Sequence, residues 1–128
     1  MNRSVPVKDA MTVNAQTASP KESVTKIADT MVREGVGSIV IIEGEEPLGI
    51  ICERDLLEKV ISSDLKPGDV VAEEIMESPV ISIEPTADML QAMRIMVKNN
   101  IGHLPVVEDG KLQGIVTVHD VLEVTPKI

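Results

Sequence analysis

The sequence predicts a fold of the α/β class, of the mixed α+β kind, built from two copies of a β-α-β-β-α unit. Three observations predict it: a repeat along the chain, helical spacing of apolar residues in each copy, and paired β-rich runs after each helix. The 128 residues, 43% hydrophobic and 26% charged, are typical of one globular domain. Since a single copy would be marginally stable alone, we expect the two copies to share one core.

The repeat is visible when the sequence is aligned with itself so that Met11 falls on Met76. Residues 11–58 then align with residues 76–123 without a gap and contain 11 identities, where unrelated segments would give about three. Asp55 aligns with Asp120. We assign a first repeat to residues 7–61, a linker to 62–71 and a second repeat to 72–124, the two forming one globular module.

Each repeat contains a run in which apolar residues recur at i, i+3, i+4, i+7 and i+8, the spacing of one helix face. The runs begin directly after Ser23 and Asp88, which we predict as N-terminal caps. They end at Gly35 and Asn100, residue types that tolerate the left-handed conformation at a helix C-terminus. The sequence therefore predicts two amphipathic helices at equivalent positions.

Two β-rich runs separated by a turn follow each of these helices, and each pair predicts a hairpin. The Asp-Gly pair at 109–110 is a strong turn signal. A second helix follows each hairpin, at about 53–61 and 118–124, the latter ended by Pro126. Short extended pieces are predicted near 16–18 and 80–83.

Composition excludes several classes of function. Phe, Tyr and Trp are absent and the net charge is −9, so the sequence predicts no nucleic-acid partner. No apolar run approaches the ~20 residues of a membrane span and the N-terminus lacks a signal peptide, so we expect a cytoplasmic protein without a membrane partner. The single Cys52 and two histidines have no metal-ligand spacing, and we predict no metal site.

The motifs IGHLPVV at 101–107 and GIVTVHD at 114–120 resemble those of the cystathionine β-synthase (CBS) domain. The resemblance covers about residues 7–123 and implies a CBS-domain pair, two repeats packed with pseudo-two-fold symmetry. Family members commonly bind AMP, ADP, ATP or S-adenosylmethionine in the cleft between the repeats, although some bind nothing. The resemblance implies no required cofactor.

The second repeat carries the ligand signature of the family, a Thr followed three residues later by an Asp. A helix N-terminus and the Thr117 hydroxyl offer donors to phosphate, and Asp120 can accept from ribose hydroxyls. On the residues alone, a helix cap and a first-turn acid without a ligand are the favoured roles of Thr117 and Asp120, and the match to the family pattern reverses that preference. In the first repeat, Cys52 replaces the Thr, so we expect a second, weaker cleft at Asp55, with Arg54 as a local charge and Cys52 without a chemical role.

The resemblance implies further residues for both clefts. Beside Thr117 and Asp120, it implies Lys8, Thr12, Val13, Val36 and Gly37. His119, between Thr117 and Asp120 at a predicted helix N-terminus, is a further candidate for a phosphate contact. Beside Asp55, it implies Ile75, Ile101, Gly102 and His103. Both histidines could also be ordinary, partly exposed side chains.

Our leading hypothesis is a non-catalytic regulatory module that senses an adenine nucleotide and acts on a separate, unidentified partner protein. The alternative is a ligand-free interaction or scaffold module that only dimerises or docks on a partner. An enzyme is less favoured, because no general base, metal cluster or phosphate-binding Gly loop is evident.

Apolar residues on more than one helix face also indicate a homodimer. The resemblance implies a flat, disc-like dimer with the ligand clefts on its faces. We expect the helices around residues 24–34, 53–61, 89–99 and 118–124 to form the interface. A monomer with apolar residues scattered singly on its surface is the alternative.

Overall fold

The computed structural model of the protein describes residues 5–125 and divides the chain into two compact units. The middle unit is Gln16–Val80. Of the described residues, the terminal unit combines 5–15 with 81–125. Residues 7–15 therefore belong to the first repeat in sequence but to the terminal unit in packing.

The mixed α+β fold follows the predicted order of elements, except that the first strand predicted for the second repeat is reduced to a single bridge. The elements are α1 (Val7–Ala10), β1 (Thr17–Ala18), α2 (Val24–Glu34), β2 (Ser38–Glu43), β3 (Glu46–Cys52), α3 (Glu53–Leu56), α4 (Ala72–Ile75), α5 (Met89–Asn99), β4 (His103–Glu108), β5 (Lys111–Thr117) and α6 (Val118–Val124). Helix α3 continues as a π-helix, Leu57–Ile61, and Pro67–Asp69 forms a 3-10 turn. The sequence did not predict α1 and α4, because four residues show too little periodicity.

The long helices α2 and α5 begin and end at the predicted residues. The side chains of Ser23 and Asp88 accept hydrogen bonds from backbone N–H groups of the first turn, at 3.2 and 2.7 Å. Gly35 and Asn100 close the helices with φ of 64° and 53°, in the left-handed region. Both cap predictions are confirmed. Within residues 5–125, no helix is long and apolar enough to cross a bilayer.

Both predicted hairpins are present. Strands β2 and β3 are joined by a two-residue loop, and β1 pairs in parallel with β2 to give a three-stranded sheet. Strands β4 and β5 form a two-stranded sheet whose loop residues, Asp109 and Gly110, both have positive φ. The extended piece predicted near 80–83 makes a single parallel bridge from Ile83 to Val106. Pro126 lies outside the described residues.

The prediction of one shared core is wrong, because each unit has a cluster of buried apolar residues of its own. The cluster of the middle unit contains Val24, Ile27, Met31, Ile39, Ile41, Ile51, Val60, Val70, Ala72 and Ile75. That of the terminal unit contains Val7, Ile83, Met89, Ala92, Met96, Leu104, Val106 and Val116. Each unit completes its cluster with a segment outside its hairpin and long helix, Val7 in one and Val70 to Ile75 in the other.

Candidate functional site

A close backbone approach at Gly114 places Thr12 beside the end of β5. Thr12 N donates to Ile115 O at 2.8 Å, and Ile115 N donates to Thr12 O at 2.9 Å. A Cβ atom on Gly114 would lie only 2.6 Å from the Thr12 carbonyl oxygen. Because non-bonded atoms do not approach so closely, this bridge requires glycine at position 114.

Asp120 is the centre of a hydrogen-bond network at the start of α6, which we call the Asp120 site (Thr12, Thr117 and Asp120). Asp120 Oδ2 accepts from Thr117 N at 2.8 Å and from Thr117 Oγ1 at 3.1 Å. Thr12 Oγ1 lies 3.2 Å from Oδ1 and 3.3 Å from Oδ2 of the same carboxylate. The structure therefore brings together three residues predicted for one site, although Thr12 is 108 residues away in sequence from Asp120.

The Asp120 carboxylate is buried but pairs only with neutral donors. The residue is 8% exposed, and within residues 5–125 no lysine, arginine or histidine forms an ion pair with it. An ionised carboxylate offers about four acceptor positions, and buried carboxylates usually have a charged partner. Three donors occupy these positions, so Asp120 can accept one further hydrogen bond, and a second in place of the Thr12 hydroxyl, from a small molecule that brings donors of its own.

Three other residues predicted for this site are exposed. Lys8 lies on α1 with its side chain in solvent, and Val13 is 63% exposed directly after Thr12. The His119 side chain is 79% exposed, and its Nε2 lies 3.2 Å from Oε1 of Glu123. These residues are accessible to a ligand, but none contacts the Asp120 carboxylate.

The loop residues predicted for the two clefts lie at equivalent positions in the two units. Val36 and Gly37 precede β2 in the middle unit, while Ile101, Gly102 and His103 lead into β4 in the terminal unit. The carbonyl oxygens of Gly37 and Gly102 accept from the first amide of α3 and of α6, each at 3.2 Å. Each loop is thereby held against the Asp-bearing helix of its own unit.

The equivalent aspartate of the middle unit, Asp55, has different side-chain partners. Its Oδ2 accepts from Cys52 N at 2.8 Å, while its Oδ1 lies 3.1 Å from Lys59 Nζ. Lys59 Nζ also donates to Glu77 Oε1 at 3.0 Å and to Ile75 O at 2.8 Å. Burial raises the pKa of Asp55, while the Cys52 N–H and Lys59 oppose that rise. We call these residues, Cys52, Asp55, Lys59 and Glu77, the Asp55 site.

Cys52 and Arg54 contribute no chemistry to the Asp55 site. Burial, together with the nearby carboxylates of Asp55 and Glu77, raises the pKa of the Cys52 thiol to about 12. The thiol is therefore protonated at neutral pH and is a poor nucleophile. Arg54, predicted as the local charge, instead forms an exposed ion pair with Glu58, so the positive charge at Asp55 comes from Lys59.

The sequence interpretation missed Lys59 and Glu77 as neighbours of Asp55. The repeat alignment contained part of the signal, because it pairs Glu77 with Thr12 and Lys59 with Val124. At both positions the terminal unit has a neutral residue and the middle unit a charged one. The charge of Glu77 is opposite to that of Lys59, and the charge of Lys59 is opposite to that of Asp55. Comparison of the repeats would have placed Glu77 near Asp55, because Glu77 aligns with Thr12, but it gives no such indication for Lys59.

No metal centre is formed in the part of the chain that the structure describes. No group of three or more His, Cys, Asp or Glu side chains within residues 5–125 is arranged to hold a metal ion. Hydrogen bonding is the chemistry that the Asp120 site offers.

A model of the CBS-domain family matches the chain twice, over residues 7–62 and 71–127. The chain belongs to the CBS-domain family. The two matches contain Asp55 and Asp120 respectively, so that both sites fall in CBS repeats. CBS-domain pairs are generally regulatory or ligand-binding modules, and they commonly bind adenosine ligands and oligomerise.

Two relatives show how the CBS pair occurs in longer chains. An uncharacterized protein of Methanopyrus kandleri is 45% identical over 126 residues, which cover 97% of this chain and 64% of the relative. The mitochondrial CBS domain-containing protein CBSX3 of Arabidopsis thaliana is 35% identical over 109 residues, covering 79% of this chain and 52% of the relative. The chain thus spans less than two thirds of the length of these relatives.

Solved structures share the fold over nearly the whole chain. An uncharacterized conserved protein from Pyrococcus horikoshii superposes with a TM-score of 0.89 at 28% identity, covering 100% of this chain and 97% of that protein. A protein from Burkholderia ambifaria, described as a putative signal-transduction protein with CBS domains, gives a TM-score of 0.86 at 26% identity, with coverages of 94% and 92%. The CBS-pair fold is therefore established for this chain.

Proposed function

We propose that this CBS pair is a non-catalytic regulatory module that binds an adenine nucleotide or related adenosine ligand at the Asp120 site. The observation that carries the proposal is the buried carboxylate of Asp120, which has only neutral donors and spare acceptor capacity. The two adjacent hydroxyls of a ribose are donors of the required kind. AMP, ADP, ATP and S-adenosylmethionine all carry that ribose.

The absence of aromatic residues constrains how the base of such a ligand is held. With no Phe, Tyr or Trp in the sequence, an adenine must pack against aliphatic side chains, with polar backbone groups at its edge. Val13 offers exposed apolar surface next to Thr12. Lys8 and His119 are exposed donors that a phosphate could recruit. Binding would then be read by a separate partner protein.

Ligand release and thermal unfolding test this function. Without Trp or Tyr, the protein absorbs little at 280 nm, so a 260 nm band in purified material reports a bound purine that denaturant would release for identification. A ligand at 100 times its Kd stabilises the folded state by about 2.7 kcal/mol, which raises the Tm by roughly 10 °C in a domain of this size. No released purine and no Tm shift with any of the four ligands would favour a ligand-free interaction module.

We also propose that the chain forms a homodimer through α2, α3 with its π-helical continuation, α5 and α6. Large apolar residues on these helices are exposed at equivalent positions: Val32 and Val97 at 83% and 81%, and Leu57 and Leu122 at 61% and 66%. Four such residues at repeat-related positions are better explained by a shared interface than by chance exposure.

Light scattering at micromolar concentration should give a mass about twice 13.8 kDa. Val32→Glu combined with Val97→Glu should shift that mass to the monomer, because charges are costly in a buried interface. Leu65→Glu, at a 48% exposed residue outside these helices, is the matched control and should remain dimeric. A wild-type mass equal to that of a single chain would contradict the dimer.

A further inference from the structure

The Asp55 site and the Asp120 site differ in three of their four equivalent positions. The repeat alignment pairs Cys52 with Thr117, Glu77 with Thr12 and Lys59 with Val124, while the aspartate is shared. The capping hydrogen bond is the same, since Asp55 and Asp120 accept from the equivalent amide at 2.8 Å. The sites differ in their side chains, and Lys59 lies in a π-helix where the equivalent Val124 ends an α-helix.

The Lys59 ammonium group lies against three oxygen atoms of the Asp55 site. It donates to Ile75 O at 2.8 Å and to Glu77 Oε1 at 3.0 Å, and it forms an ion pair with Asp55 Oδ1 at 3.1 Å. The side chain is 34% exposed and that of Asp55 is 7% exposed, so this ion pair is partly shielded from water. Asp55 therefore pairs with an ammonium and a backbone amide, whereas the donors to Asp120 are a backbone amide and two hydroxyl groups.

The opposite charges of Lys59 and its two acidic neighbours affect one another's pKa values. Burial lowers the pKa of Lys59, but hydrogen bonds to Glu77 and Asp55 outweigh burial and raise it above the ordinary value. The same ammonium lowers the pKa of Glu77. The cluster therefore places one lysine amino group between two carboxyl groups, whereas the Asp120 site has hydroxyl groups on either side of a single carboxyl group.

We propose that Lys59 is a built-in latch that takes the place of a ligand's ribose donors at Asp55 and so closes the Asp55 site to adenosine ligands. The proposal rests on the proposed function, because it assumes that the aspartate of a CBS repeat of this chain receives the ribose. To bind there, a ribose must break the Lys59 to Asp55 pair and leave a shielded carboxylate without its cation. Cys52 offers only a weak donor in compensation, and Glu77 repels a phosphate.

The test removes the charged pair from the Asp55 site and, in a second variant, introduces it at the Asp120 site. The triple variant Cys52→Thr, Lys59→Val and Glu77→Thr gives the Asp55 site the side chains of the Asp120 site. Titration calorimetry with AMP, ADP and ATP should find one site per chain in the wild type and two in this variant, the second lost again when Asp55→Ala is added. The reciprocal variant, Thr12→Glu with Val124→Lys, should lower affinity at the Asp120 site at least tenfold.

The outcomes separate the latch from the proposed function. One site in the wild type and still one in a folded triple variant would contradict the latch while leaving the proposed function intact. No site in the wild type would contradict the proposed function. The latch would then stand if the triple variant gained an Asp55-dependent site, and fall if it gained none.

A measurement on the wild-type protein covers the case in which the triple variant does not fold. The Lys59 ammonium, held by three acceptors, should give a slowly exchanging signal in a proton–nitrogen NMR spectrum of the lysine side chains. That signal should persist unchanged at saturating AMP, with Lys21, an exposed lysine paired to Glu73, as the fast-exchanging reference. Loss of the Lys59 signal on adding AMP would overturn the latch.

Discussion

Replacing Asp120 with alanine should weaken the binding of an adenine nucleotide at least tenfold. Hydrogen bonds to a charged group contribute about 1.5–3 kcal/mol each, and every 1.4 kcal/mol is tenfold in Kd. The variant removes the acceptor for both ribose hydroxyls and also frees Thr12 Oγ1, which now lies 3.2 Å from Oδ1 of the carboxylate. Titration calorimetry measures the change directly.

The repeat supplies the matched control for this variant. Asp55→Ala removes a carboxylate at the equivalent position, with the same backbone hydrogen bond of 2.8 Å to the residue three positions earlier. Both variants therefore lose the same helix-capping interaction, but only Asp120→Ala should lose affinity. Loss of binding in Asp55→Ala alone would show that the ligand binds at the Asp55 site, which would contradict the proposal. Equal losses would show that the effect is structural.

Replacing Gly114 with alanine should lower the free energy of unfolding by about 2–3 kcal/mol, the usual cost of forcing an extra methyl group into a packed site. The new Cβ would meet the Thr12 carbonyl oxygen at 2.6 Å and Sδ of Met11 at 3.0 Å. The carbonyl belongs to the backbone and cannot turn aside, so the bridge between Thr12 and Ile115 must open. Because that bridge positions Thr12, nucleotide affinity should fall as well.

Alanine substitutions at two other glycines are controls that distinguish an effect on the free energy of unfolding, measured in urea, from an effect on nucleotide affinity, measured by titration. Gly49→Ala should cost similar stability, because its Cβ would lie 2.9 Å from the backbone oxygen of Glu77 and 2.6 Å from Met76 Sδ. It should leave affinity at the Asp120 site unchanged. Gly102→Ala, with its nearest contact at 3.4 Å to Val118, should change stability little. An unaltered affinity in Gly114→Ala would mean that Thr12 plays no part in binding.

The elements that could be predicted from sequence are those whose signals are local. Ser23, Asp88, Gly35 and Asn100 act on the backbone within one helical turn, and all four lie at the predicted caps. The pairing of Thr12 with Asp120 was anticipated from the family resemblance, since nothing local connects residues 108 positions apart. The segment before Gln16 packs with the second repeat, which the sequence did not predict. Each unit has its own core cluster, whereas the sequence predicted one shared core.

The composition of the Asp55 site illustrates what a motif leaves out. The Thr-x-x-Asp pattern covers only two positions of one turn. Lys59, which pairs with Asp55, lies in the π-helix that follows, and Glu77, which pairs with Lys59, lies after α4. In a sequence, a lysine or a glutamate is most simply interpreted as a surface residue. Their placement around a buried carboxylate depends on tertiary structure, which the periodicity of either segment does not encode.

A crystal structure of this chain with whichever of AMP, ADP, ATP or S-adenosylmethionine raises the Tm most would test the central claim most directly. The proposed function predicts both ribose hydroxyls within hydrogen-bonding distance of the Asp120 carboxylate, near ~3 Å, with the Asp55 to Lys59 pair still closed. A ligand seated on Asp55, or a crystal saturated with ligand in which Asp120 contacts only Thr12 and Thr117, would contradict it.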